Sequence, residues 1–241
     1  MSDDQLGEGT VGARGALGQI LRGARLVTLK DLRLERRTRV AAAQMLPFAL
    51  LVLLLFAFAL DPDRGVLAEA TGGLFWTTVL FTSVLAIQRA YALEMDHGLL
   101  DALRLTGLPP AAVFLGKVGS LVVQLGVLEV VLGIGVVVLY DARPTGWALL
   151  VVSALATTLG IAAAGATYGF LAARLRQGSA LLPLLLLPLL APVLIAATRA
   201  YDAALGRETG GGWPWAALLG VFAVAYLGLG TALYGPIMDD Q

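Results

Sequence analysis

Apolar residues are strung along this chain in six long runs, about 41–60, 71–91, 111–140, 147–173, 180–198 and 213–238, parted by short polar stretches. A bilayer hydrocarbon core about 30 Å thick calls for about 20 residues of helix at about 1.5 Å each. The first run, "AAAQMLPFALLVLLLFAFAL", has that length. The pattern predicts an all-α, polytopic integral membrane protein with six transmembrane helices forming one domain over residues 41–238.

Ahead of the first run the pattern changes twice. Residues 1–15 are polar and Gly-rich and read as a loose, disordered N-terminal tail. Over residues 16–40 helical spacing gathers Leu17, Ile20, Leu21, Ala24, Val27, Leu32 and Leu34 into one broad arc, opposite Arg22, Arg25, Lys30, Arg33, Arg36 and Arg37. Leu26 and Leu29 break the split. This predicts an interfacial amphipathic helix lying on anionic membrane lipid; the alternative is a solvated basic helix that only sets topology. Because the first apolar run stands behind this long basic preface, insertion through uncleaved helices is expected, not a cleaved signal peptide.

Basic residues in short loops orient the spans. One side collects Arg14 to Arg39, then Arg89, Arg104 and Lys117, then Arg174 and Arg176; the other has Arg64, Arg143, Arg199 and Arg207. Six spans return the chain to its starting side, so both termini are expected in the cytoplasm. Trp76, Trp147, Trp213 and Trp215 all fall near the outer ends, where interfacial indoles are favoured.

Composition narrows the chemistry. Of 241 residues 58% are hydrophobic and 14% charged, with mean hydropathy +0.82, which excludes an ordinary soluble domain. There is no cysteine and one histidine, so disulfides, thiolate chemistry and a zinc site of usual spacing have no material. Net charge is zero, and nothing points to nucleic acid. The stretch "LGKVGS" (115–120) has the Gly-Lys of a phosphate-binding loop, but Ala111 and Val118 stand where its first glycine and its hydroxyl belong. The chain is therefore expected not to be an enzyme, and any ATP hydrolysis must reside elsewhere.

Polar and helix-breaking residues inside the spans are the intrinsic candidates. Glu129 is an acid deep in the third run, where an ionised group costs on the order of 3 kcal/mol. With Gln124 it reads either as a polar path for cargo or a partner helix, or as a protonated, hydrogen-bonded residue. Pro183, Pro188 and Pro192 should bend or loosen the fifth span, as a flexible wall or as a fixed kink. Gly165 and Gly169 make a surface for close helix approach. After the fifth run, "RAYDAALG" is expected to form a separate short helix on the outer surface, anchored by Tyr201.

The remaining puzzle is "LEMDHGLLDALRLTGLPPAAVFLGK" (93–117), a charged stretch between the second and third runs. If 95–105 is helical, Met95, Leu99, Ala102 and Leu103 share a face, with His97, Asp101 and Arg104 on another. Gly107 and Pro109-Pro110 then redirect the chain. The apolar face packs either on the bundle's own end or on a cytosolic partner. His97, beside Asp96 and Asp101, reads as a surface residue or as part of that partner contact.

This stretch resembles the cytoplasmic loop of ABC-2-type exporter permeases. With "LVTLKDLRLERRTR" (27–40) and "LLPLLLLPLLAPVLIAATRAYDAAL" (181–205), the chain is similar to the cytochrome c maturation protein B (CcmB) family, permease subunits of haem-exporter ABC complexes in the bacterial inner membrane. The resemblance implies that the loop carries a coupling helix, with Glu94, Gly98, Leu99, Asp101, Leu103 and Pro109 contacting an ATPase. It also implies a CcmA-like ATPase, a CcmC-like haem-handling subunit, a small CcmD-like subunit and a CcmE-like periplasmic haem chaperone. Haem then enters as cargo, with no cofactor bound by this chain, and ATP sits on the partner. Whether haem is exported or the loaded chaperone released stays open, beside two alternatives: an exporter permease for lipid or drug cargo, and a non-transporting membrane scaffold.

Overall fold

A computed structural model describes residues 4–38, 40–60, 65–96, 107–173, 178–207 and 210–239. Among these the regular structure is entirely helical: α1 (Asp4–Thr38), α2 (Val40–Ala59), α3 (Val66–Asp96), α4 (Pro110–Tyr140), α5 (Trp147–Ala173), α6 (Gly178–Ala204) and α7 (Trp213–Asp239). Between its two end turns a helix pairs every backbone polar group within itself, which is what an apolar solvent demands. Five helical stretches are long and apolar enough to cross a membrane, Val66–Ala92, Pro110–Tyr140, Trp147–Ala172, Leu182–Ala204 and Trp213–Pro236. The apolar stretch of α2, Ala43–Ala59, is shorter.

Helix ends follow local chemistry. Pro110 occupies the first turn of α4, where its missing N–H costs nothing, and Gly107 takes a positive φ of 64° just before it. At the far end Asp141 adopts a left-handed conformation and closes α4. Helix α5 lies at the centre, packed on α3, α4, α6 and α7, while α2 leans on α3 and α4. The central seam is close because its residues are small: a Cβ on Gly165 or Gly169 of α5 would stand 2.2 Å from Ile87 Cδ1 or 2.4 Å from Tyr91 Cε2 of α3. Gly165 and Gly169 are thus packing residues inside the bundle.

Helix α1 is drawn from Asp4. Two expectations change. The stretch at 199–204 is the end of α6, because nothing breaks the helix before Gly206 at φ 75°. Tyr201 is accordingly buried, stacked on Phe75 with centroids 4.9 Å apart, and Trp76 packs edge-on to both without surface exposure. Trp147 and Trp213 remain exposed, as expected of interfacial indoles. Pro183, Pro188 and Pro192 lie within one continuous helix of 27 residues, the latter two exposed and one helical turn apart.

Candidate functional site

The expected coupling stretch sits between α3 and α4. Gly98, Leu99, Asp101 and Leu103, with His97, lie outside the described residues. Glu94 belongs to the last turn of α3, so the charged stretch begins as an extension of that helix. Pro109 is the residue that caps α4, extended at φ −55° and ψ 134°. The described residues on either side of it form its foot.

That foot begins with α1 seated along the first turns of α4. Gly23 lies against Leu108 and Ala112, Ala24 and Val27 against Gly116, and Thr28 against Gly119. Both series ascend together, so the two helices run in the same direction side by side over this seam. A Cβ on Gly116 would stand 2.5 Å from Val27 Cβ and 2.7 Å from the Ala24 carbonyl oxygen. Only glycine permits that approach. The Thr28 hydroxyl donates to the Gly116 carbonyl at 2.9 Å and closes the seam.

One turn further along α1 a buried ion pair follows. Lys117 Nζ lies 3.1 Å from Asp31 Oδ2, with side chains only 4% and 11% exposed, and Lys30 Nζ lies 3.1 Å from Asp31 Oδ1. Lys117 also stands over the Tyr91 ring, 5.4 Å from its centroid, and the Tyr91 hydroxyl donates to the Ala166 carbonyl of α5 at 2.7 Å. Asp31, Lys117, Tyr91 and Ala166 thus join α1, α4, α3 and α5 at the root of the stretch. An amine this buried requires such compensation. Lys117, expected as one more basic residue of a cytoplasmic loop, is a structural centre inside the bundle.

Deeper in the bundle, Glu129 is half-buried beside α5, where Thr158 Oγ1 stands 2.6 Å from its Oε1. Gln124 does not share this contact. Five residues are about 140° around a helix, so the two point to different flanks of α4, and the expected Gln124–Glu129 seam is replaced by a link from Glu129 across to α5. Among the described residues no group of acids and histidines is arranged to hold a metal ion.

Sequence reasoning missed Asp31, Lys117, Tyr91 and Thr158. A signal was present for Lys117, the lone charged residue between Arg104 and Glu129, set among Gly116, Gly119 and Ser120 at one-turn spacing. Its partner on α1 was hidden among nearby charges.

The family described as CcmB protein matches residues 23–234. Heme exporter protein B of Paracoccus denitrificans (strain Pd 1222) is 31% identical over 208 residues, 85% of this chain and 92% of the relative. Heme exporter protein B of Escherichia coli (strain K12) is 34% identical over 181 residues, 72% and 79% of the two chains. That of Rhodobacter capsulatus is 32% identical over 171 residues, 71% and 78%.

Proposed function

The chain belongs to the CcmB protein family, and from that premise we propose that it is the permease subunit of an ABC complex that exports haem for cytochrome c maturation. The observation that carries this reading is the breadth of similarity. Relatives named Heme exporter protein B align over most of both chains, and the matched residues take in the α1–α4 seam, the Lys117 junction and most of α7.

In this reading α2 is the sixth span, both termini are cytoplasmic, and the protein resides in a bacterial inner membrane. The stretch between α3 and α4 is the coupling helix, presenting Glu94, Gly98, Leu99, Asp101, Leu103 and Pro109 to a CcmA-like ATPase that hydrolyses ATP. Its two stems meet through Tyr91 and Lys117, and α1 is tied to the same point by Asp31. A displacement of the coupling helix is therefore received by α1, α3 and α4 together. Pro183, Pro188 and Pro192 make α6 the helix least anchored by backbone hydrogen bonds, and so the movable wall. CcmC-like and CcmD-like subunits and a CcmE-like chaperone complete the complex, with haem as cargo.

The test is haem staining of c-type cytochromes in a strain lacking this protein. Loss of covalent haem that returns on complementation is the expected result. Normal staining, with no second copy of the gene, would overturn the assignment in favour of another exporter cargo.

A further inference from the structure

Thr158 Oγ1 makes two short contacts at once, 2.6 Å to Glu129 Oε1 and 2.7 Å to the carbonyl oxygen of Ala154 on its own helix. A hydroxyl carries one hydrogen, and a backbone carbonyl can only accept. If Thr158 donated to an ionised Glu129, its oxygen and the Ala154 carbonyl would face each other at 2.7 Å with no hydrogen between them. If it donates to Ala154, the hydrogen in the second contact must come from Glu129. Only a neutral carboxyl satisfies both.

The surroundings agree. Helix α5 carries no charged residue, α2 and α7 no basic one, and α4 none beyond Lys117. Lys117 is twelve residues, about 18 Å, back along α4 and already paired with Asp31. On α3, Arg89 is bonded to Gln44 of α2, near the Tyr91 end of the helix. Of the cations on α1, Lys30 sits at the Asp31–Lys117 pair, and Arg33, Arg36 and Arg37 are exposed. Among the described residues no cation is paired with Glu129, and hydrocarbon offers no water.

We propose that Glu129 is a proton-binding site within the membrane: its neutral carboxyl donates to Thr158 Oγ1, which in turn donates to the Ala154 carbonyl, forming a directed hydrogen-bond relay that clasps α4 to α5. The relay is independent of the cargo assignment, so its test is spectroscopic. The full chain in lipid nanodiscs is examined by infrared spectroscopy at neutral pH. The wild type should show a protonated carboxyl C=O band, sensitive to H–D exchange, that disappears in Glu129→Gln and shifts to higher frequency in Thr158→Val. Glu129→Gln, whose amide replaces the donor, should melt with the wild type. Absence of any band lost in Glu129→Gln overturns the proposal. Should that variant fail to fold, the Thr158→Val shift decides, and an unmoved band overturns it.

Discussion

Lys117 on α4 and Asp31 on α1 meet at 3.1 Å with both side chains almost wholly removed from the surface. They bind a helix that precedes all the membrane spans to the first turns of the longest one. Taking two charges out of water is costly, and the pair repays that cost only while both partners are present. Asp31→Leu, which strands the buried Lys117, should therefore destabilise the protein by about 3–5 kcal/mol, and Lys117→Met by less, because Lys30 still faces Asp31. The double variant Asp31→Leu/Lys117→Met should lose clearly less than the sum. Intrinsic tryptophan fluorescence during thermal unfolding in detergent reads this out, and additive losses would mean the two side chains do not depend on each other.

The α1–α4 seam makes a second, purely geometric prediction. A Cβ built on Gly119 lies 3.8 Å from Thr28 Cβ, about the mean separation in a disulfide. Because the chain has no cysteine, Thr28→Cys/Gly119→Cys should cross-link under mild oxidation without background, giving a faster-migrating band on non-reducing gels. Neither single variant should shift. Adding Gly116→Val, whose side chain collides with Val27 and the Ala24 carbonyl, should suppress the cross-link by pushing α1 off its seat.

The central seam is equally specific. Gly169→Leu would drive a side chain into the Tyr91 ring, already 2.4 Å from a bare Cβ, and disturb the hydrogen bond from Tyr91 to Ala166. Overpacking of this kind costs about 1–3 kcal/mol. Gly126→Ala, on a face of α4 where a Cβ meets nothing within 4 Å, should be neutral or slightly stabilising. The difference between the two melting temperatures checks the packing of α3 on α5 against a control on a membrane helix.

These seams explain what could and could not be read in the sequence. Apolar helices were legible because hydrocarbon demands long apolar runs, and 147–173 coincides with α5 at both ends. Gly165 and Gly169 were legible as packing residues because their spacing puts both on one face. Tyr201 was not: nothing local says that Phe75, far away in sequence, will stack on it. Asp31 was hidden for the same reason, since charge counting treats it as one more polar residue on a basic helix, and only the approach allowed by Gly116 brings it to Lys117. Glu129 announced itself as an acid in an apolar run, yet its partner Thr158 is one hydroxyl among many on α5.

The stretch between α3 and α4 is where a partner ATPase is expected to sit. If its apolar face seats an ATPase, a carboxylate at Leu99 or Leu103 must abolish binding, because it puts an unpaired charge into a dry contact. The same change should leave the foot untouched, since Tyr91, Lys117 and Asp31 hold it from below. Leu99→Asp and Leu103→Asp should then fold and insert like the wild type, with the Thr28–Gly119 cross-link still forming in that background, but fail to co-purify the ATPase or stimulate its turnover. A single cysteine at position 99 should in parallel react only with reagents admitted to the cytoplasm, and one at Ala203, at the far end of α6, with impermeant reagents from outside. Retained ATPase binding and stimulation in both Asp variants would mean that the apolar face packs on the bundle's own end and that the partner is engaged elsewhere.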